Sequence, residues 1–150
     1  MNTAIKLVLK EKTLFDVYYL DGSVKRYDIL SLADKFPQLE ALKDRKLFLK
    51  GHLIGWSGVV WNDELDIDCE TVYEEGEDVT SQYDDIQNVV FGYLVKRKRI
   101  ENGFTQIELA QKANIDQSDL SKLEKGALNP SIKMMKRIAD AMNTKLLISL

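Results

Sequence analysis

The sequence is poor in the residues that most often carry covalent or metal chemistry. Its 150 residues include one cysteine, one histidine and two prolines. A single thiol, Cys69, allows no disulfide within the chain and suits a reducing compartment. The lone His52 has no second nitrogen or sulfur ligand at metal spacing, so we expect a structural or surface role and no metal site or cofactor. Gly55 and Gly58 form no phosphate loop and read as a turn beside the packing aromatics Trp56 and Trp61. Asp66 and Asp68 alternate on a strand, which suits a solvated sheet face better than an acid–base pair. No nucleophile–base arrangement can be named, and the expectation is a protein that is not an enzyme. No run approaches the roughly 18 apolar residues of a membrane span. The opening Met1–Ile5 lacks the basic and apolar regions of a signal peptide. Together these absences lead us to expect a soluble, cytoplasmic chain with no membrane partner.

Positive charge is scarce relative to negative in the first half, and the balance reverses in the second. The net charge is −3, which alone argues against a nucleic-acid ligand. From Met1 to Asp85, however, there are 10 Lys+Arg against 18 Asp+Glu, and from Ile86 to Leu150 there are 11 against 6. An acidic module joined to a basic one implies two different partners, and the basic half is where a phosphate-binding surface belongs.

The acidic half reads as a small α+β domain over residues 1–73. Ile5–Leu9, Leu14–Leu20 and Val24–Ile29 have strand composition, and Asp21-Gly22 between the last two is a hairpin signal because the tight turn needs positive φ. After a break at Pro37, Leu39, Leu42 and Lys46 fall on one helical face, which predicts one or two short helices. Val59–Trp61 and Leu65–Asp68 flank an Asn62-Asp63-Glu64 turn. Residues 74–85 are acidic and poor in apolar side chains, which predicts a solvated linker; the competing reading is a phosphate mimic that shields the basic half.

The basic half, 86–150, reads as an all-α domain closed by a terminal strand. Phe91, Leu94 and Val95 share a helical face, and Asn102-Gly103 is a C-cap pair. Thr105 followed by Glu108 fits a capping box, ahead of the apolar Ile107, Leu109, Ala110 and Ala113. Asp116 is placed to cap a third helix that buries Leu120 and Leu123 and stops at Gly126. Ile132, Met135, Ile138, Ala139 and Met142 form the stripe of a fourth. Lys145–Leu150 is too apolar for a frayed tail and too short for another helix, and reads as a strand.

Two short helices joined at Asn114-Ile115 meet the needs of a helix-turn-helix, whose second helix can enter a major groove. The run from Lys98 to Ala113, continued by Leu120–Gly126, resembles the phage-repressor-like (Cro/repressor, xenobiotic-response-element) helix-turn-helix family over about residues 86–145. The resemblance implies double-stranded DNA as ligand and assigns roles. Thr105 and Gln106 open the second helix, and Gln106 matches the family's phosphate-contacting glutamine. Gln117, Ser118, Ser121 and Lys122 lie where the family reads bases, and Lys125 matches a backbone contact. Chemically, Gln suits adenine and Lys suits guanine, although plain solvated surface is the competing reading. Arg99 and Glu124 match a structural ion pair tying the first helix to the third. Of Lys96–Arg99, only one or two can face DNA, with Lys96 or Arg97 the candidates. Asp116 and Asp119 depart from the pattern by placing negative charge near phosphates.

The first half resembles a small bacterial α+β domain family through Tyr18–Ser23, Tyr27-Asp28 and Val60–Asp68. Members stand alone or precede a helix-turn-helix, in operons with a toxin-like partner. The resemblances imply an antitoxin-type autorepressor that binds a palindromic operator as a homodimer and holds a basic, toxin-like protein on its acidic domain. Alternatives are a ligand-sensing repressor with Trp56, Trp61 and the tyrosines around a pocket, and a non-transcriptional DNA-associated protein. Lys145–Leu150 is a candidate dimer strand.

Overall fold

The computed structural model describes residues 1–150 as two compact units, Met1–Asp84 and Asp85–Leu150. The first is α+β and the second all-α.

Strand alternation builds the first unit. β1 (Ala4–Leu9), β2 (Leu14–Tyr19) and β3 (Val24–Asp28) form an antiparallel meander. The hairpin between β2 and β3 turns at Gly22, whose φ of +88° explains the residue. Asp21 fixes the same turn by accepting bonds from the Ser23 amide and hydroxyl. Phe15, Val17 and Tyr19 alternate onto one face of β2 and enter the core. A second antiparallel sheet is made by β4 (His52–Ile54), β5 (Gly58–Asn62) and β6 (Leu65–Asp68). It sends Val59, Trp61, Leu65 and Ile67 into that core. The Trp61 ring meets Phe15 edge-on at 5.8 Å and stacks on Phe48 at 6.0 Å, while its indole N–H donates to the Phe48 carbonyl at 2.9 Å. Gly51 lies against that indole, where a Cβ would stand 2.6 Å from Nε1.

Three expectations for this half need correction. The one or two short helices expected after Pro37 are two, but Lys46 does not share the buried face of Leu39 and Leu42. Residues Pro37–Lys43 form a 3₁₀ helix, with the leucines buried at its i, i+3 spacing. Asp44 then goes extended and caps the short α1 (Arg45–Phe48), which leaves Lys46 exposed. Only one tryptophan packs: Trp56 sits beside the left-handed Gly55 and is 44% exposed. Third, the stretch 74–85 is not a solvated linker. The Asp68 carboxylate caps α2 (Cys69–Glu75), and β7 (Glu77–Asp78) pairs with β3. Val79 is buried, and the Thr80 hydroxyl accepts the Val24 amide. The charge pattern hid this because the carboxylates point outward while Val72 and Val79 do the anchoring. Asp66 and Asp68 are exposed on β6 as expected, and Asp68 serves in addition as the N-cap of α2.

The strongest polar anchor of that segment is Asp16, fully buried on β2. Arg26 grips its carboxylate with Nε at 2.8 Å and Nη2 at 3.0 Å, and the Tyr83 hydroxyl donates to the same group. A buried carboxylate is tolerated only when its lone pairs are used, as here. The Tyr18 and Tyr83 rings meet edge-on at 5.0 Å.

The second unit is α3 (Ile86–Glu101), α4 (Gln106–Ala113), α5 (Gln117–Glu124) and α6 (Ile132–Ala141). Its core joins Val95, Leu109, Ala110, Ala113, Leu120, Leu123, Ile138 and Met142. Ile107 and Ile132, expected inside, are 58% and 62% exposed; Met134 and Phe104 pack against the core instead. Residues 145–150 form no strand and make no backbone hydrogen bond, since a lone strand in an all-helical unit has no ladder to join. No helix is long and apolar enough to cross a membrane.

Burial and the Asp16 carboxylate push the Tyr83 hydroxyl up to about 12 from an ordinary 10.0. The folded state therefore holds a proton that the unfolded chain releases first. This contribution is complete below pH 10 and is lost as pH rises toward 12. Urea midpoints should fall over that window, and the fall should be smaller in Tyr83→Phe; equal slopes would detach Tyr83 from the fold's pH response.

Candidate nucleic-acid interface

The second unit turns a short sequence into a rigid frame by satisfying helix ends locally. Thr105 is extended and accepts the Glu108 amide at 3.1 Å, while the Glu108 carboxylate accepts the Thr105 amide at 3.1 Å. This reciprocal cap starts α4 at Gln106 and engages the Thr105 oxygen in structure. The left-handed Asn114, φ 53°, ends α4 and swings the chain into α5 within three residues. Asn tolerates that region better than most side-chain-bearing residues. Asp116 stands at the N-cap position of α5, but its side chain accepts no cap bond. The expected capping role is therefore corrected, and its charge is offset only through the helix dipole.

Packing then fixes α5 against α3. A Cβ on Gly92 would stand 2.1 Å from the Leu123 carbonyl oxygen, so the two backbones approach as only glycine permits. About two helical turns along α3, Arg99 donates through Nε to Glu124 Oε2 at 2.7 Å and through Nη2 to Oε1 at 2.9 Å. Its third nitrogen reaches the Phe104 carbonyl at 2.9 Å. The Glu124 side chain is 2% exposed and Arg99 11%, and the carboxylate raises the guanidinium pKa further. A charge pair this buried holds because it is bidentate and nearly all its groups are bonded.

The network continues to the surface. Gln106 Nε2 donates to Glu124 Oε1 at 3.1 Å, and Gln117 Nε2 donates to Gln106 Oε1 at 3.1 Å. The structure thus brings Arg99, Glu124, Gln106 and Gln117 into one chain of bonds from a buried pair to an exposed amide. Gln117, Ser118, Ser121, Lys122 and Lys125 follow the i, i+1, i+4, i+5, i+8 spacing of one helical face, opposite the buried Leu120 and Leu123. Ser121 is half-buried and the other four are exposed. Among the basic run, Arg99 is committed to Glu124, and Arg97 lies over the Tyr93 ring and 3.9 Å from Glu101. Lys96 remains exposed on the Gly92–Arg99 stripe. Sequence reasoning missed the Gln106–Gln117 bond, because residues eleven apart on different helices give no periodic signal. No group of three or more His, Cys, Asp or Glu side chains is placed to hold a metal. His52 is exposed, with Nδ1 3.0 Å from the Lys50 carbonyl.

Residues 95–148 match the helix-turn-helix family model. The chain is 37% identical over 51 residues to an immunity repressor protein of Bacillus phage phi105, covering 34% of this chain and 35% of that one. It thus spans about a third of the curated relative's length. Among solved structures, a mutant of the restriction-modification controller protein C.Esp1396I is 31% identical, with a TM-score of 0.36 over 37% of this chain and 70% of that one. A putative DNA-binding protein from Nitrosomonas europaea is 16% identical, with a TM-score of 0.45 over 92% and 84%.

Removing one member of the Arg99–Glu124 pair strands the other in the interior. Arg99→Ala and Glu124→Ala should each cost about 3 kcal/mol of stability. The double variant should lose clearly less than the two losses combined, with a coupling of about 1–3 kcal/mol in urea melts. Additive losses would show that the pair is not a unit.

Proposed function

We propose that this chain, whose residues 95–148 belong to the phage-repressor-like helix-turn-helix family, is a sequence-specific DNA-binding transcriptional regulator and not an enzyme. The observation that carries the reading is the exposed face of α5. It presents Gln117, Ser118, Ser121, Lys122 and Lys125 on the basic unit, with Gln117 held by Gln106 from the preceding helix. Side chains that read bases need fixed geometry, and an amide tied back to a buried ion pair loses little freedom on binding. In this reading Gln117, Ser118, Ser121 and Lys122 meet base edges in the major groove. Gln106, Lys125 and the outer edge of Thr105 approach phosphates, and Arg99–Glu124 is scaffold.

The finer reading is an antitoxin-type autorepressor acting as a homodimer on a palindromic operator. One such domain touches only a few base pairs, so two half-sites about one helical turn apart supply usable specificity. The first unit adds a partner of opposite character. No Lys or Arg lies from Leu53 to Asp84, while ten Asp and Glu do, and this favours a basic, toxin-like protein. Mixing the chain with the product of an adjacent gene and finding no complex by light scattering would remove this part of the reading.

In vitro selection from a random DNA pool tests binding, symmetry and half-site spacing together. A two-fold-symmetric consensus is expected. In Gln117→Ala and Lys122→Ala, preference at one or two positions should relax, with about 1–3 kcal/mol lost per base contact. Uniform weakening on all sequences would make them phosphate contacts. Asp116→Asn should tighten binding at low salt and leave the consensus unchanged, because the carboxylate caps nothing and repels phosphate. Unchanged or weaker binding would place Asp116 away from the duplex.

A further inference from the structure

The first unit has a groove that its own core leaves open. It lies between two 3₁₀ segments, Ile29–Leu32 and Pro37–Lys43, and strand β6, with a volume of about 440 Å³. Leu32, Phe36, Leu39 and Ile67 form its apolar wall. Phe36 is 48% exposed, an aromatic ring that the core does not take in. On the rim three carboxylates, Glu64, Asp66 and Asp68, stand against one cation, Lys35. Asp68 gives one oxygen to the Thr71 amide, whereas the carboxylates of Glu64 and Asp66 have no ion-pair or hydrogen-bond partner.

Strand β6 is also the outer strand of its sheet. The Cys69 amide donates to the Ser57 carbonyl at 2.7 Å, and Val59 lies opposite Ile67. In an antiparallel ladder that alternation turns the Ile67 backbone toward β5 and the Asp66 amide and carbonyl toward the open side. No other backbone group of the chain pairs with them. An unpaired edge of this kind is a template for an added strand.

We propose that this edge is the docking site for an extended, basic segment of a partner protein, which adds a strand beside β6. The inference rests on the basic-partner reading above and names its surface and its mode. The added strand exchanges two backbone bonds with Asp66, and its side chains alternate between the two sides of the sheet. On the side of Ile67 an aliphatic side chain enters the groove among Leu32, Phe36 and Leu39. On the side of Asp66 and Asp68 a lysine or arginine meets the carboxylates. Charge selects this occupant. A nucleic-acid strand or an anionic lipid surface meets three negative charges for one positive. A second copy pairing edge to edge through β6 brings the same carboxylates against these.

The test is a titration of the full chain with a six-residue peptide alternating lysine and valine, followed by backbone-amide NMR. Two control peptides carry N-methyl groups on the amides that would face β6, or glutamate in place of lysine. We expect saturable shifts at Asp66, Ile67 and Leu39, none along α5, and no binding of the glutamate peptide. N-methylation leaves the charge intact but blocks the edge, and should weaken binding by at least about tenfold. Glu64→Lys/Asp66→Lys should weaken it by at least about tenfold as well. Both side chains are exposed, so the variant should keep its fold; if it does not, the N-methylated peptide on the unmodified chain decides. No shift at Asp66, or equal affinity for the N-methylated peptide, overturns the proposal. Shifts confined to another face of the first unit overturn it and leave the basic-partner reading standing. Shifts at Asp66 that grow with chain concentration alone give the edge to a second copy and also overturn it. A complex with the adjacent gene's product that survives the charge reversal overturns this edge alone. The absence of any such complex removes that product as the partner, and the peptide titration then judges the edge by itself.

Discussion

The bidentate contact between Arg99 and Glu124 organises the helical unit. Glu124 ends α5 and Arg99 stands in the last turn of α3, so the pair gives the two helices a second fastening about two turns beyond the backbone contact at Gly92. A buried carboxylate needs its lone pairs filled, and the third bond to Glu124 comes from Gln106. That requirement draws the start of α4 to the end of α5. Gln106 then holds Gln117, and the exposed face of α5 inherits its orientation from a charge pair it never shows to solvent.

A similar constraint operates in the first unit with a different result. Asp16 is buried on β2, and its bonds from Arg26 and Tyr83 tie an acidic stretch of chain back to the sheet. Nine of the acidic side chains of β6, α2, β7 and their connecting turns carry their charge on the surface, while Val72, Val79 and Tyr83 fasten the segment beneath. The unit thereby displays strong negative charge on an ordered surface.

Much of the architecture was legible because it depends on local rules. The Asp21-Gly22 hairpin, the Thr105–Glu108 capping box and the Leu109/Ala110/Ala113 and Leu120/Leu123 faces each follow from chemistry within four residues. Errors arose where the local signal was ambiguous. Ile107 and Ile132 are apolar residues in the first turns of their helices, and periodicity alone cannot tell a buried first turn from one that hangs beyond the neighbouring helix. Asp116 has the right identity and position for a cap yet aims its oxygen elsewhere. The acidic 74–85 stretch was misread because composition averages over side chains that point in opposite directions.

The sequence by itself determined that this protein has an acidic α+β half and a basic helical half. It also determined that the latter carries a helix-turn-helix pattern, because charge, capping and periodicity are properties of neighbouring residues; the pairing of Arg99 with Glu124, 25 residues apart, was implied only by the resemblance to a known family. Tertiary structure alone decided that Gln117 is held by Gln106, that the 74–85 segment is part of a sheet-bearing unit, and that the Lys145–Leu150 tail lacks a strand partner within its own unit. Those outcomes depend on which backbones can approach and which buried polar groups need a partner, and both are set by distances between residues far apart in the chain.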